Sequence, residues 1–165
     1  MKPAAATNVT DADVAAFLAT GPDITGTARH LSIPGWGEAE WSILFSYTTA
    51  TELQAGEVLI KQNAPDRSLF FATSGKLKVA VVDEADNSVS EIATIAPGSV
   101  VGEFAFFDGG PRSAKVWAVT HSRLLQLTLH DFERFQQTHL EKAAAFLFAM
   151  ARLLAIRVRR SNERP

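Results

Sequence analysis

The sequence contains no cysteine among its 165 residues. A disulfide framework and a thiolate metal site are therefore both excluded, and the fold has to be held together by its hydrophobic core. No window approaches the roughly 18 consecutive apolar residues that a membrane-spanning helix needs. The N-terminus, MKPAAATNVTDAD, also lacks the apolar segment of a secretory signal. From these absences we expect a cytoplasmic protein without a membrane span.

An excess of charge of one sign is also missing, and so are the usual spacings of catalytic residues. The 16 basic and 18 acidic side chains leave a formal net charge of −2, which gives no global attraction for nucleic acid. There is no Gly-rich P-loop of the Walker A type, no serine nucleophile elbow and no zincin spacing. The four histidines are scattered rather than grouped as the ligands of a barrel metal site would be: His30, His121, His130 and His139. We therefore expect neither an enzyme nor a metal protein.

Apolar residues make up 47% of the chain, which is enough for one well-filled domain. Residues 1–37 are expected to form a flexible segment with one short helix, which begins at Thr10 with capping-box spacing and ends at Gly21-Pro22. Residues 38–165 are expected to form the domain. Helical spacing of apolar residues predicts that this domain starts with a helix at 38–45.

Short runs rich in Val, Ile, Leu and Phe follow at regular intervals, and residues typical of tight turns separate them. Seven or eight short strands of this kind are typical of a jelly roll or barrel. The sequence therefore predicts a mainly β fold with flanking helices, in the form of an eight-stranded jelly-roll β-barrel. The predicted strands are 47–53, 58–60, 69–73, 77–82, 89–95, 116–119 and 124–129.

A long C-terminal lid helix is predicted to close the domain at 131–160, because no glycine or proline interrupts this stretch. Thr128 lies at the capping position before it. Apolar residues recur along the helix at alternating spacings of three and four, as in a coiled-coil seam: Leu140, Ala143, Leu147, Met150, Leu154 and Val158. Two interpretations stay open. The stripe covers the barrel of its own chain, or its far part pairs with a second copy.

The loop 102–116 has an acid, Glu103, and an arginine, Arg112, near the two ends of a stretch that is otherwise mostly apolar or glycine-rich. Glycines permit tight turns, and exposed backbone N–H groups together with a guanidinium form a site for an anion such as phosphate. A carboxylate does not bind phosphate, so Glu103 would take either an internal salt bridge or a neutral hydroxyl such as a ribose 2′-OH. The pair indicates a compact nucleotide ligand, although Glu103 and Arg112 could also pair with one another.

Residue by residue, this loop resembles the phosphate-binding cassette of the cyclic nucleotide-binding domain family, which includes the catabolite activator proteins and the regulatory subunit of cyclic AMP-dependent protein kinase. The cassette's Gly-Glu corresponds to Gly102-Glu103, and its Pro-Arg-Ser/Ala-Ala corresponds to Pro111-Arg112-Ser113-Ala114. Its final apolar residue corresponds to Val116. The resemblance covers roughly residues 38–162 and includes further family landmarks: Gly56-Glu57, Gln62, Asp66 and Ser74-Gly75.

The resemblance implies cyclic AMP or cyclic GMP as the ligand and assigns a role to each cassette residue. Arg112 would pair with the cyclic phosphate, and Ser113 and the N–H of Ala114 would add hydrogen bonds to it. Glu103 would accept a hydrogen bond from the ribose 2′-OH, while Gly102 lets the sugar approach. The resemblance also implies contacts from two further cassette residues, Phe104 and Ala105. It implies an apolar wall for the base from Val79, Ile95 and Val101, and contacts from Ser161 and Asn162 at the end of the lid helix.

The sequence therefore predicts a stand-alone sensor that binds a cyclic nucleotide and transmits the signal to an unidentified effector protein, with a homodimer through the C-terminal helix. The alternative is a scaffold or interaction module with a vestigial pocket. We expect no DNA-binding helix-turn-helix, because the chain stops shortly after Asn162. The C-terminal arginines are expected to form a solvated helix face: Arg152, Arg157, Arg159, Arg160 and Arg164.

Overall fold

The computed structural model describes residues 6–19 and 30–162. Its strands are β1 Ala6–Thr7, β2 Thr49–Leu53, β3 Val58–Ile60, β4 Leu69–Ser74, β5 Leu77–Val82, β6 Val89–Ile95, β7 Val100–Val101, β8 Lys115–Ala118 and β9 Ser122–Leu127. Its helices are α1 Asp11–Leu18, α2 Glu38–Phe45, α3 Glu103–Asp108, α4 Leu129–Thr138 and α5 Leu140–Asn162. The predicted bounds of α2, β3, β5 and β6 are confirmed, whereas β1 and β7 are missing from the prediction.

The strands form two antiparallel sheets that pack face to face. Their orders are β1-β2-β9-β4-β7 and β3-β8-β5-β6. Leu53 and Phe70 of the first sheet share a buried core with Leu77 and Val116 of the second. The predicted mainly β class with flanking helices is confirmed, but the closed eight-stranded barrel is not formed. Among the described residues, the edge strands of each sheet are paired on one side only, so the architecture is an open sandwich.

The first sheet is buried on both faces, which explains the continuous apolar run in β4. Side chains alternate across a strand, so Leu69 and Phe71 face one side while Phe70 and Ala72 face the other. Phe70 and Ala72 point into the core between the sheets. Leu69 and Phe71 lie in a second core, which the helices cover, and helix α5 is thereby held against this sheet.

Helix α1 joins that second core through aromatic packing. Its Phe17 ring lies 4.9 Å from Trp41 and 5.3 Å from Phe45 of α2. Thr10 donates its backbone N–H to Asp13 at 2.8 Å, which confirms the predicted start of the helix. The predicted end at Gly21-Pro22 lies outside the described residues.

Asp13 links α1 to the sheet through an ion pair that sets an expected pH dependence. Burial opposes ionisation of this carboxyl, but hydrogen bonds from Arg123, with Nε at 2.6 Å, and from Thr10 hold its pKa below the ordinary value. A carboxyl group whose pKa is lower in the folded state than in the unfolded state stabilises the folded state at pH values above its unfolded pKa. This stability is lost as pH falls below about 4.

We expect Asp13→Asn to lower the free energy of unfolding by about 1–3 kcal/mol at neutral pH, because it removes one of the two carboxylates, Asp13 and Glu52, that the Arg123 guanidinium contacts. The difference from the wild type should shrink in acid, and urea denaturation at several pH values measures it. Asp11→Asn is the matched control, since Asp11 is an exposed acid in the first turn of the same helix. Equal losses in both variants at neutral pH would contradict this assignment.

The predicted single C-terminal helix is wrong, because α4 and α5 are separate helices. They are divided at His139, where φ is −130° and ψ is 57°. The break lets phenylalanines from both helices enter one core: Phe132 of α4 lies 5.6 Å from Phe146 of α5. The predicted capping residue is confirmed, since Thr128 Oγ1 accepts a hydrogen bond from the Asp131 N–H at 3.1 Å.

The predicted seam on the C-terminal helix is not buried along its whole length. Ala143 and Met150 are buried, whereas Leu140 is 67% exposed and Val158 is 50% exposed. The residues that cover the chain's own sheet are instead Ala143, Phe146, Ala149, Met150 and Leu153. Within the described ranges, no helix combines the length and the apolar character needed to cross a bilayer.

Candidate nucleotide site

A cavity of 720 Å³ lies between the 102–114 loop, strand β6 and the end of α5. Eleven of the twelve residues that the sequence assigned to the site line it: Val79, Ile95, Val101, Gly102, Glu103, Phe104, Ala105, Arg112, Ser113, Ala114 and Ser161. The twelfth, Asn162, is an exposed residue in the last turn of α5 and does not line the cavity. The structure thus brings together residues from the loop, the sheet and the last helix.

Gly102 is required where the backbone turns from β7 into α3. Its φ is +90°, a left-handed conformation that residues with a Cβ rarely adopt. A Cβ at this position would lie 2.7 Å from Arg112 Nη1 and 2.8 Å from the Ser68 carbonyl oxygen. The absence of a side chain therefore lets the arginine pack directly against the backbone of the turn.

Arg112 is 2% exposed, and its guanidinium is held on three sides. Nε and Nη2 both donate to the Asp66 carboxylate, Nη1 donates to Gly102 O at 2.9 Å, and Nη2 also donates to Ser68 O at 2.7 Å. The hydrogen bonds from Arg112 lower the pKa of Asp66. Four of the five N–H groups are thus engaged, and one on Nη1 has no acceptor among the described residues.

Glu103 does not pair with Arg112, so that alternative interpretation is wrong. Its Oε1 accepts a hydrogen bond from Nη1 of Arg157 on α5, and Nη2 of Arg157 also donates to Val100 O at 2.9 Å. No described residue donates to Oε2 of Glu103. Since no buried polar side-chain atom of the described part lacks a hydrogen bond, Oε2 must reach open space. This side chain, 4% exposed, therefore presents one acceptor oxygen to the cavity.

Arg157 and Arg160 correct the prediction of a wholly solvated arginine face. Both line the cavity, and the side chain of Arg157 is only 21% exposed. The helical spacing of four residues between Arg157 and the predicted site residue Ser161 was the signal that could have identified Arg157, because such residues share a helix face. Arg160 has no comparable signal in the sequence.

The remaining cavity wall comes from residues that the sequence did not point to. Strand β6 contributes Ile92 and Thr94 from an edge of the second sheet, and His30 and Ser99 also line the cavity. Three arginines and one carboxylate line the cavity, and two of these arginines are in ion pairs, Arg112 with Asp66 and Arg157 with Glu103. In the described part of the chain, no cluster of His, Asp or Glu side chains could hold a metal ion.

Comparisons with known proteins show what this chain is similar to in sequence and in fold. The sequence model of the cyclic nucleotide-binding domain family matches residues 50–139. Glutaminase 2 of Bradyrhizobium diazoefficiens is 32% identical over 123 residues, which are 74% of this chain but only 19% of that protein. The chain therefore spans a small part of this curated relative.

Two solved structures have the same fold. A cyclic nucleotide-binding domain from Methylobacillus flagellatus KT superposes with a TM-score of 0.80 at 19% identity, covering 96% of this chain and 85% of that one. The catabolite activator protein of Thermus thermophilus superposes with a TM-score of 0.70 at 26% identity, covering 78% and 58%. Since the family model matches more than half of the sequence and the fold agrees, this chain belongs to the cyclic nucleotide-binding domain family.

Proposed function

We propose that this chain is a cytoplasmic regulatory protein that binds a cyclic nucleotide in the cavity and transmits binding to an effector protein through α5. It is not itself a catalyst. The observation that carries the proposal is a pair of nearly buried, oppositely charged side chains on one cavity. Among the described residues, nothing accepts from one N–H of Arg112 and nothing donates to one carboxylate oxygen of Glu103. An anionic phosphate and a neutral ribose hydroxyl are the groups that such a pair would bind.

The phosphate is proposed to bind at Arg112, with Ser113 and Ala114 beside it. Asp66 holds the guanidinium in place, so the arginine does not have to be ordered when ligand arrives. The Asp66 side chain is 52% exposed, so water screens its charge and weakens its competition with the phosphate. Ser113 Oγ and the Ala114 N–H supply further donors at the same end of the cavity.

The sugar is proposed to bind with its 2′-OH donating to Oε2 of Glu103, and the base is proposed to lie against the apolar wall. Val79, Ile95 and Val101 are buried residues of that wall. Ser161 is the proposed polar contact from α5, while Asn162 is given no contact because it lies outside the cavity lining. Ser113 is compatible with adenine and guanine ligands, and the likeness to bacterial activators favours cyclic AMP.

Calorimetric titration with cyclic AMP and cyclic GMP tests the proposal, and linear 5′-AMP is the matched control ligand. We expect micromolar or tighter binding of at least one cyclic nucleotide and much weaker binding of 5′-AMP, whose open phosphate has a different shape and charge. Binding of neither cyclic nucleotide would favour the scaffold alternative, in which the pocket is vestigial.

A second copy of the chain is the proposed partner of the outer face of α5. This face carries an exposed apolar stripe at spacings of three and four, typical of a two-stranded coiled coil. Arg152 and Arg159 flank the stripe on one side. In a parallel pair of helices, these arginines would lie beside Leu147 and Leu154 of the other copy, and the arginines of the two copies would not face one another. The stripe consists of Leu140, Ala144, Phe148, Ala151, Ala155 and Val158.

Phe148→Asp is expected to convert the dimer to monomer, because Phe148 is 76% exposed at the centre of the stripe and an aspartate there would be buried without a partner. Analytical ultracentrifugation across a concentration series measures the change. Val89→Asp is the control, since Val89 is 62% exposed but lies on β6. A wild-type chain that sediments as a monomer at all accessible concentrations would contradict the dimer.

A further inference from the structure

Arg157 connects the last helix to the proposed ribose-binding carboxylate. Its Nη1 donates to Oε1 of Glu103 in α3, and its Nη2 donates to the Val100 carbonyl oxygen in β7 at 2.9 Å. One guanidinium therefore joins α5, the cassette helix and the first sheet. The fork of the guanidinium is what permits two bonds in fixed directions, and an ammonium group would not reproduce them.

The two oxygens of Glu103 are used differently. Oε1 is occupied by Arg157, while Oε2 has no donor among the described residues and reaches open space. A ligand hydroxyl at Oε2 would therefore not compete with Arg157 for the same oxygen. Both contacts would stabilise one orientation of a side chain that is 4% exposed. Two binding events that favour the same orientation are cooperative.

Arg157 also compensates a charge that would otherwise oppose ligand binding. A cyclic nucleotide carries a negative phosphate into a cavity that already contains the Glu103 carboxylate. Like charges in a partly desolvated site repel each other more strongly than in water. The arginine offsets that repulsion where it arises, because its guanidinium contacts the carboxylate directly.

We propose that Arg157 is a positioning residue that holds Glu103 for the ribose 2′-OH and thereby couples recognition of the sugar to the docking of α5. The proposal rests on the proposed function, because it requires a ribose in the cavity. It explains how the last helix distinguishes the occupied site from the empty one: the ligand and α5 act on opposite oxygens of one carboxylate. By linkage, a change that loosens α5 from Glu103 must weaken the ligand, and the ligand must tighten α5.

The test compares cyclic AMP with 2′-deoxy cyclic AMP by calorimetry in the wild type, Arg157→Met and Arg157→Lys. Arg159→Met is the matched control, since Arg159 is an exposed arginine on the same helix that does not line the cavity. Because Arg159 flanks the proposed dimer stripe, all variants are compared at dilutions where the chain is monomeric. We expect the wild type and Arg159→Met to prefer the ribose ligand by about tenfold or more, the scale of a hydrogen bond to a charged group. Arg157→Met should reduce that preference to about twofold or less, and Arg157→Lys should lie between them.

Hydrogen–deuterium exchange in the absence of ligand supplies a second readout. Residues 153–162 should exchange faster in Arg157→Met than in Arg159→Met, because only the first variant releases α5 from Glu103 and Val100. If Arg157→Met weakens both ligands equally and keeps the sugar preference, Arg157 has a merely structural role and the proposal is overturned. Wild-type discrimination in Arg157→Met would overturn it as well.

Failure of the proposed function gives a different pattern. If the wild-type chain binds neither cyclic AMP nor its deoxy analogue, the chain does not recognise the ribose, and the sugar-positioning role falls with it. The exchange comparison then still decides whether Arg157 docks α5. Equal exchange in Arg157→Met and Arg159→Met would reject the docking role too.

Discussion

Replacing Arg112 by lysine is expected to weaken cyclic nucleotide binding by about 1.5–3 kcal/mol, roughly tenfold to a hundredfold. An ammonium group lacks the fork that donates to Asp66, Gly102 O and Ser68 O together, so it cannot hold its position and still donate to a phosphate. Calorimetry with cyclic AMP measures the loss. The control is Arg134→Lys, an exposed arginine on α4.

Because Arg112 is nearly buried, its replacement is also expected to lower stability, and the two effects have to be separated. Urea denaturation of the ligand-free variant measures the change in the free energy of unfolding. Calorimetry well below the midpoint of unfolding, where the variant is folded, measures the change in affinity for the ligand. Asp66→Asn retains the arginine but removes half of its anchor, so we expect a smaller loss of affinity than in Arg112→Lys. Unchanged affinity in Arg112→Lys would rule out Arg112 as the phosphate-binding residue.

Gly102→Ala is expected to reduce both stability and binding, because the new Cβ would be forced against the Arg112 guanidinium and the Ser68 carbonyl. Gly56→Ala is a close control. Gly56 has a φ of +88°, almost the same as the +90° of Gly102, but no atom lies within 4 Å of its Cβ position. The control therefore isolates the backbone strain, which is on the order of 1–3 kcal/mol.

The difference between the two glycine variants reports the steric contact alone. We expect Gly102→Ala to unfold at lower urea concentration than Gly56→Ala and to lose cyclic AMP affinity, while Gly56→Ala binds as the wild type does. Equal behaviour of the two variants in both measurements would mean that the turn tolerates a side chain and that Arg112 does not depend on its close approach to Gly102.

Local sequence signals predicted several elements well. Helix α2 and strands β3, β5 and β6 have the predicted bounds, because strong apolar periods end at turn residues there. Strand β7, Val100–Val101, is too short to show a period of two. Strand pairing is set by contacts between distant residues, which explains why an open sandwich was mistaken for a barrel. The helix break at His139 has no glycine or proline to mark it.

Part of the candidate site was also predictable from local sequence signals, and part was not. Its cassette was predictable because the glycines, the acid and the arginine lie within one short loop whose chemistry can be read locally. Arg157 and His30 are far from that loop in sequence, and only the packing of α5 and of the segment before α2 brings them to the cavity. On α5 the helical phase decides which residues face inward, and a sequence-based assignment of Ser161 and Asn162 together ignores that neighbours point about 100° apart.

The most direct measurement of the central claim is hydrogen–deuterium exchange of the wild-type chain with and without saturating cyclic AMP. Binding in the cavity should slow exchange in two separated segments, the cassette at 100–116 and the end of α5 at 153–162, because residues of both segments line the cavity. The β5–β6 turn at 83–88 contributes nothing to the cavity lining and should exchange at the same rate in both samples. Protection of the cassette and the end of α5 together is the result we expect, whereas no protection in either segment at saturating ligand would contradict binding at this site.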